Sequence, residues 1–282
     1  MTEEIIEKSQ ICTIICSFNP NYQKLRDLSS ILSCFSEIFI VDNSQSINDD
    51  RFNDIKGLTI IKTEKNLGTL KAYNKVIERY SDFEYYWLWN QDTILSKKSA
   101  EKFLRISKQL FIKNNELVAT TFFDKKNKIN PFNKNQILVK ESSSLFNKKQ
   151  VYRYTNSWFD ENLFMDYGDW DLSLRIESKG GEIAQISDIE YIHYFGEPEN
   201  TVLGKMYRSS EKRLYMQGLN SAYLFRKRRK TSFLVLLLIC RVFILPLKNL
   251  FFKNSFQRSK SYFKGIIDGL HGKTSSEYMN KY

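Results

Sequence analysis

The sequence predicts an α/β fold whose core is a mixed, mostly parallel sheet flanked by helices. In the first hundred residues, short runs rich in β-branched residues alternate with stretches whose apolar residues recur at helical spacing. This alternation is typical of βαβ units. The chain has 282 residues, of which 42% are hydrophobic, so it is long enough for one large core and an appended segment.

The predicted elements follow each other in strand–helix order. The expected strands are Ile11–Ser17, Ile38–Asp42, Leu58–Lys62 and Tyr85–Trp89, and the expected helices are Tyr22–Cys34 and Gly68–Tyr80. Pro20 separates the first strand from the first helix, and apolar residues such as Leu25 and Leu28 give that helix its buried face. From Tyr207 onward the pattern is helical.

Charge separates the chain into two parts. The net charge is +11, but residues 203–282 carry 17 basic and 3 acidic side chains, a net charge of +14, whereas residues 1–202 carry −3. A cationic block of this kind favours an anionic partner, either nucleic acid or anionic lipid. We therefore expect an α/β domain over residues 1–202 and a basic, apolar helical extension over residues 203–282.

The cysteines and the amino terminus indicate a reducing compartment. Cys12, Cys16, Cys34 and Cys240 form no CxxC pair, and the sequence contains only two histidines, so a thiolate zinc site is not expected. The first residues are acidic and lack the apolar core of a signal peptide. The expected location is the cytoplasm.

The extension contains an apolar segment next to a basic run. Phe233–Leu245 has 13 residues, is interrupted by Arg241 and follows the basic run Arg226–Lys230. It is shorter than the ~20 apolar residues that a spanning helix needs. Two interpretations remain open: a helix lying in the interface of an anionic membrane, or a hydrophobic helix packed on the α/β domain.

Polar residues follow three of the predicted strands. Ser17 and Asn19 end the first, Asp42 ends the second, and Asn90-Gln91-Asp92 follows the fourth. Ligands of open α/β sheets bind outside the carboxyl ends of the strands, so these side chains are candidates for nucleotide or metal binding. Each motif alone is also ordinary turn chemistry. Asn66-Leu67-Gly68 precedes a helix and can either bind an anion through backbone N–H groups or simply cap the helix.

A second set of candidates lies downstream. Trp158–Arg175 contains aromatic residues and five acids, more than a helix start needs, which indicates metal or proton-transfer chemistry or else a solvated acidic loop. His193 lies near the end of an apolar strand, Ile189–Tyr194. A strand histidine is either a structural hydrogen-bonding residue or a metal ligand.

Five segments in this order and spacing carry a specific resemblance. They are ICSFNP, IFIVDNS, KNLGTLKAYN, WLWNQD and FDENLFMDYGDWDLSLRIESKGG. Together they resemble the inverting family 2 glycosyltransferases with a GT-A fold, and within that family the rhamnosyltransferase-like branch of polysaccharide assembly. The resemblance divides the expected catalytic domain into a donor-binding half at about residues 9–95 and an acceptor half at about residues 96–202.

The resemblance implies a role for each matching residue. Donor contacts are expected from Ser17, Asn19, Asp42, Asn66, Gly68, Asn90, Gln91 and Asp92. Asp169 matches the family's catalytic base, and Asp92 with His193 would hold Mg²⁺ or Mn²⁺. Acceptor contacts are expected from Asp166, Trp170 and Asp171. Asn90 departs from the family's Asp-x-Asp pattern, which removes one negative charge near the metal.

The implied activity is a hexosyltransferase-type transfer with inversion. The donor would be a dTDP- or UDP-sugar, with rhamnose as the first candidate and galactofuranose, glucose or galactose as alternatives. The acceptor would be a hydroxyl of a lipid-linked or polysaccharide glycan such as a capsule or O-antigen, at the inner face of the membrane.

Other classes of protein remain as alternatives. A nucleotidyltransferase usually begins with a glycine-rich, basic phosphate loop, and Ser17–Tyr22 is not such a loop. A nucleic-acid-binding protein would use the basic extension, but the acids between Asp160 and Asp171 oppose phosphate binding, so no nucleic-acid partner is expected. An inactive relative would be consistent with Asn90. A homodimer is compatible with the sequence.

Overall fold

The computed structural model describes residues 5–122, 139–140, 142–193, 198–201, 204–207, 209–227 and 255–280. The predicted apolar segment Phe233–Leu245 and residues 228–230 of the basic run lie outside the described residues. The chain divides into two compact units: Met1–Asp160 with Gly168–Tyr194, and Glu161–Tyr167 with Phe195–Tyr282.

The first unit is built on a seven-stranded mixed sheet. Its strands are β1 (Ile11–Ser17), β2 (Glu37–Asp42), β3 (Leu58–Lys62), β4 (Tyr85–Asn90), β6 (Leu117–Phe122), β7 (Leu145–Asn147) and β8 (Glu182–Ile186), in the order β3-β2-β1-β4-β7-β6-β8. The four strands β1 to β4 are mutually parallel where they pair. β7 is antiparallel to both β4 and β6, and β8 is parallel to β6. Two short strands, β5 (Thr93–Leu95) and β9 (Tyr191–His193), form a separate antiparallel pair.

Five helices accompany this sheet. They are α1 (Tyr22–Leu32), α2 (Thr69–Arg79), α3 (Lys97–Lys113), α4 (Lys148–Thr155) and α5 (Gly168–Ser178). Local chemistry explains where they begin, because the Asn21 side chain caps α1 by accepting from Lys24 N, and Ser96 caps α3 by accepting from Ser99 N. Two 3₁₀ segments, Lys8–Gln10 and Asp49–Phe52, complete the unit's helical elements among the described residues.

Aromatic packing holds the central strand β4 in place. Trp87 and Trp89 are fully buried, with their ring centroids 5.1 Å apart, and Trp87 stacks on Phe103 of α3 at 5.5 Å. On the alternate positions of the strand, Tyr86 packs against Trp158 at 5.2 Å. Because β4 is buried on both faces, its carboxyl end is a rigid point of the fold.

The predicted α/β architecture is confirmed, with small shifts of element ends. β1 and β3 have the predicted bounds, and β4 is one residue longer than predicted. The strands β5 to β8 were not predicted from the sequence. β6 is buried at all six positions, so it lacks the alternation that marks a half-exposed strand.

The second unit is mainly helical. It contains a strand pair, β10 (Pro198–Thr201) and β11 (Gly204–Tyr207), and three helices, α6 (Glu211–Lys227), α7 (Ser255–Leu270) and α8 (Ser275–Met279). The helical pattern predicted from Tyr207 therefore begins at Glu211, because Gly204–Tyr207 pairs as a strand. Among the described residues, no helix combines the length and the apolar character needed to cross a bilayer.

Glycines bring α6 and α7 together at backbone contact distance. A Cβ atom placed on Gly265 would lie 2.0 Å from the Tyr215 carbonyl oxygen, and one on Gly218 would lie 2.2 Å from the Tyr262 carbonyl oxygen. No other residue fits at these two positions without moving a helix backbone. The helix pair is therefore the structural centre of the second unit.

Candidate functional site

The carboxyl ends of β2, β1 and β4 meet at one edge of the sheet. Ser17 lies opposite Asp42 in the register of β1 and β2, and Cys16 lies opposite Asn90 in the register of β1 and β4. Because the three strands are parallel neighbours, the segments that follow them leave the sheet on the same side. The structure thus brings together the three strand-end motifs that the sequence analysis selected.

Gln91 ties the turn after β1 to the segment after β4. Its Oε1 atom accepts hydrogen bonds from Ser17 Oγ at 2.9 Å and from Phe18 N at 2.7 Å, and its Nε2 atom donates to Phe18 O at 2.9 Å. Both polar atoms of the Gln91 side-chain amide therefore form hydrogen bonds with protein atoms. These hydrogen bonds hold the ends of β1 and β4, and with them Asp92, at fixed positions relative to each other.

Asp42 is the fully buried centre of the loop after β2, with 0% exposure. Its Oδ1 atom accepts from Ser44 N at 3.0 Å and Ser44 Oγ at 2.8 Å, and its Oδ2 atom accepts from Ile47 N at 2.8 Å. Ser44 Oγ in turn accepts from Asn19 N at 2.9 Å. The carboxylate therefore orders the loop and joins it to Asn19, which has a left-handed backbone at φ 46°.

The loop before α2 is held by a residue outside the predicted site. Asn43 donates from Nδ2 to Gly68 O at 3.3 Å and accepts at Oδ1 from Leu67 N at 3.1 Å. Asn66 Oδ1 accepts from Gly68 N at 2.9 Å, and Gly68, at φ 77°, precedes the first residue of α2 without a side-chain cap. The signal for Asn43 was present in the sequence, since it stands between Asp42 and Ser44.

Asn90 is contacted by a buried tyrosine that the sequence analysis also missed. The Tyr73 hydroxyl lies 3.0 Å from Trp89 O and 3.2 Å from Asn90 Oδ1, and it donates toward both. Tyr73 is fully buried on α2. The Asn90 side-chain amide is thereby fixed in orientation by α2.

Asp92 is a half-buried carboxylate at this edge. Burial raises the pKa of the Asp92 carboxyl above its ordinary value, and the charge of Lys24 acts in the opposite direction. A carboxylate that has lost part of its hydration is stabilised by a cation, which is the chemistry expected of a metal ligand. The next residue, Thr93, pairs with His193 across β5 and β9, so the backbone brings His193 close to Asp92 in register.

The described side chains provide few protein ligands for a metal. No group of three or more His, Cys, Asp or Glu side chains converges among them. One carboxylate with a histidine of the paired strand fits a cation that is bound mainly by ligand phosphate oxygens, as Mg²⁺ commonly is. The roles of Asp92 and His193 as metal ligands stay a prediction.

Asp169 lies in the first turn of α5 and is partly exposed. Its Oδ1 atom accepts from Trp170 N at 2.9 Å, which orients the carboxylate, and Ser173 Oγ donates to Asp169 O at 2.6 Å. A double hydrogen bond fixes the chain before α5: Asn74 Nδ2 donates to Phe159 O at 2.9 Å, and Phe159 N donates to Asn74 Oδ1 at 3.1 Å. The role of Asp169 as a catalytic base stays a prediction.

Two of the three expected acceptor residues, Asp166 and Asp171, form hydrogen bonds with arginine side chains. Asp171 is fully buried and accepts from Arg175 Nε at 2.8 Å, and Arg175 also donates to the backbone oxygens of Ser157 and Trp158. The Asp171 carboxylate thus lies between α5 and the preceding loop, and its expected acceptor contact stays a prediction. Trp170, the third, remains partly exposed.

Asp166 belongs to the second unit. It has a left-handed backbone at φ 60°, and its carboxylate oxygens accept from Arg213 at 3.0 and 2.7 Å and from Gln217 at 3.2 Å. These bonds attach the segment Glu161–Tyr167 to the start of α6. The acidic cluster of the sequence is therefore divided: Asp166 stabilises the helical unit, whereas Asp169 and Asp171 belong to α5.

Comparison with known proteins supports the architecture. No protein-family model matches the chain. In an alignment of 307 positions, gaps included, the chain is 27% identical to dTDP-rhamnosyl transferase RfbF of Shigella flexneri, covering 96% of this chain and 99% of that protein. A crystal structure of residues 1–349 of S. aureus TarS in complex with UDP-GlcNAc superposes with a TM-score of 0.57 at 12% identity, covering 93% of this chain and 80% of that one.

A second solved structure has a similar fold over part of the chain. GalNAc-T7 with UDP, GalNAc and Mn²⁺ superposes with a TM-score of 0.51 at 11% identity, covering 65% of this chain and 43% of the other, so this chain spans less than half of that protein. The chain therefore has a GT-A fold and is distantly similar, over nearly its whole length, to a dTDP-rhamnosyl transferase.

Proposed function

We propose that this chain is an inverting, divalent-metal-dependent glycosyltransferase of cell-surface polysaccharide synthesis. It transfers a sugar, with rhamnose as the first candidate, from a nucleotide diphosphate donor to a hydroxyl of a lipid-linked or polysaccharide acceptor. The observation that carries this proposal is the single sheet edge where Ser17, Asp42 and the segment Asn90-Gln91-Asp92 meet. The distant homology to a dTDP-rhamnosyl transferase supports it.

The donor end of the site is shaped by the loops that follow β2 and β3. The loop ordered by Asp42 would receive the nucleoside, and the backbone N–H groups near Gly68 would approach the diphosphate. Asp92 and His193 would hold Mg²⁺ or Mn²⁺, which supplies charge neutralisation of the leaving nucleoside diphosphate. Gln91 keeps Asp92 in position through its bonds to the turn after β1.

Asp169 is the residue that we assign to proton transfer. A sugar hydroxyl is a weak nucleophile, so a base has to accept its proton as the bond to the anomeric carbon forms. The hydrogen bond from Trp170 N holds one oxygen of the Asp169 carboxylate in place. One base acting on the acceptor gives direct displacement, and hence an inverted product.

The donor nucleotide has a second candidate. UDP-GlcNAc is bound in the TarS structure, which has the same fold, so a UDP-sugar such as UDP-galactofuranose, UDP-glucose or UDP-galactose is the alternative to dTDP-rhamnose. Thermal shift against a panel of these donors, each with and without Mn²⁺, separates the two nucleotides. A donor that raises the Tm only in the presence of Mn²⁺ supports metal-assisted binding.

The proposed location is the cytoplasmic face of the membrane. The basic, apolar extension carries a net charge of +14 over residues 203–282, which favours attachment to anionic lipid. Attachment would confine the enzyme to the surface that carries a lipid-linked acceptor.

Substitution of the base tests the reaction. Asp169→Asn keeps the shape of the side chain and removes its basicity, so we expect transfer to fall by at least about a hundredfold while donor binding is retained. Glu177→Gln, an exposed acid on the same helix, is the matched control and should leave transfer unchanged. Near-normal turnover of Asp169→Asn would exclude Asp169 as the base, and a retained anomeric configuration would exclude direct displacement.

A further inference from the structure

Helix α7 of the second unit carries an exposed apolar stripe. Phe256, Phe263, Ile267 and Leu270 are 81%, 38%, 55% and 46% exposed. Their spacing of seven, four and three residues places them on one face of the helix. A contiguous row of large apolar side chains at the surface marks an interaction site, whereas single exposed residues do not.

The opposite face of α7 is already occupied. Gly265 and Gly269 approach the backbone of α6 at Tyr215 and Leu219, and Tyr262 is fully buried between the two helices. Rotation of α7 to bury its stripe would insert bulky side chains where only glycine fits. The stripe is therefore held outward by the same contacts that join the helix pair.

Basic residues border the stripe. Lys260 and Lys264 are both exposed and lie one turn apart, beside Phe263 and Ile267 on the helix surface. The sequence that directly precedes α7 contains the basic residues 228–230 and the apolar segment Phe233–Leu245. An apolar stripe with a cationic border is complementary to an anionic bilayer, which offers acyl chains below a layer of phosphate groups.

We infer that α7 is a membrane-contact helix that inserts its stripe into the interface of an anionic bilayer, with Lys260 and Lys264 at the lipid phosphates. This inference rests on the membrane association proposed above and identifies the surface that performs it. A second copy of the chain is a weaker occupant, because two such stripes brought together would also bring together their bordering lysines.

Vesicle co-sedimentation of the full chain tests the stripe. Without any sugar donor, the chain should bind vesicles of phosphatidylcholine mixed with phosphatidylglycerol, and bind pure phosphatidylcholine vesicles much more weakly. The double variant Phe263→Gln/Ile267→Gln should lower the partition coefficient by at least about tenfold, since two apolar side chains no longer enter the lipid. The matched control is Ile112→Gln on α3, where Ile112 is 71% exposed, and it should bind like the parent.

A second pair of variants tests the charge. Lys260→Gln/Lys264→Gln should weaken binding to anionic vesicles by about tenfold or more, and should also reduce the effect of salt. Lys97→Gln/Lys98→Gln, two exposed lysines at the start of α3, is its control. Unchanged far-UV circular dichroism in every variant excludes loss of fold as the cause.

Three results would overturn the inference. The first is parent-like vesicle binding by Phe263→Gln/Ile267→Gln, and the second is equal binding of the parent to neutral and anionic vesicles. The third is a parent that binds no vesicles but forms a dimer in sedimentation equilibrium, if this double variant is then monomeric. Because vesicle binding is measured without donor, a chain that does not bind vesicles would not contradict the proposed transfer reaction. Conversely, a chain that binds vesicles but transfers no sugar would refute the transferase proposal alone.

Discussion

Gly265→Ala is expected to open the second unit while leaving the first intact. The Cβ atom of alanine would lie 2.0 Å from the Tyr215 carbonyl oxygen, which is 1.0 Å less than the 3.0 Å that real Cβ contacts essentially never fall below. The obstacle is backbone, so a change of rotamer cannot relieve it. The axes of α6 and α7 would have to separate.

The expected cost follows from two opposing effects. Overpacking a core against backbone belongs at the upper end of the ~1–3 kcal/mol range, or above it. Alanine in place of glycine within a helix stabilises the helix by about 1 kcal/mol. The net loss of about 2 kcal/mol corresponds to a roughly thirtyfold increase in the equilibrium constant for opening of the helix pair. Gly269→Ala, with a distance of 2.6 Å to Leu219 O, should cost less.

Hydrogen exchange measured by mass spectrometry resolves the two units. Peptides from α6 and α7 should exchange faster in Gly265→Ala, whereas peptides from β1 and β4 should not. The four tryptophans, Trp87, Trp89, Trp158 and Trp170, all belong to the first unit, so tryptophan fluorescence should keep its unfolding midpoint. Gln257→Ala, exposed on α7, is the control. Parental exchange rates in Gly265→Ala would refute the close packing deduced for this helix pair.

Two further predictions concern the sheet edge at the carboxyl ends of β1 and β4 and the acid stability of the second unit. Gln91→Leu removes three hydrogen bonds between the ends of β1 and β4, and it should weaken donor binding at least about tenfold in a thermal-shift titration; unchanged affinity would show that Asp92 is positioned without them. Hydrogen bonds from Lys273 and Tyr215 lower the pKa of the Asp268 carboxyl. Because the pKa is lower in the folded state, this stabilisation is complete above the ordinary carboxyl pKa and is lost as the pH falls through the folded value. Asp268→Asn should therefore lower the stability of the α6–α7 pair at neutral pH and flatten its loss below about pH 4, as followed by hydrogen exchange. A pH dependence equal to that of the parent would contradict this assignment.

The first half of the fold was predictable because its signals are local. β1 and β3 have continuous apolar runs bounded by turn residues, and α1 and α2 show helical spacing with Asn21 and Gly68 at their starts. Of the later strands, only β9 was predicted, within Ile189–Tyr194. β7 has three residues and pairs with β4 and β6, which are distant in sequence, so its conformation depends on partners that no local window contains.

The candidate site shows the same division. Parallel neighbouring strands place their carboxyl ends together, so Ser17, Asp42 and Asn90 could be grouped from the sequence once the strands were predicted. The supporting contacts could not be. Tyr73 reaches Asn90 from α2, and Asn74 fixes the chain at Phe159, which is 85 residues away.

The fold class, the polar strand ends and the cationic character of the extension were predictable, because each depends on residue type and short-range spacing. The contacts of the acids between Asp160 and Asp171 were not predictable, because they depend on the tertiary structure. Residue type shows that a carboxylate is present, but its role depends on the partner that folding brings to it. Arg213 takes Asp166 into the helical unit and Arg175 encloses Asp171, whereas Asp169 is held by Trp170 N at the partly exposed start of α5.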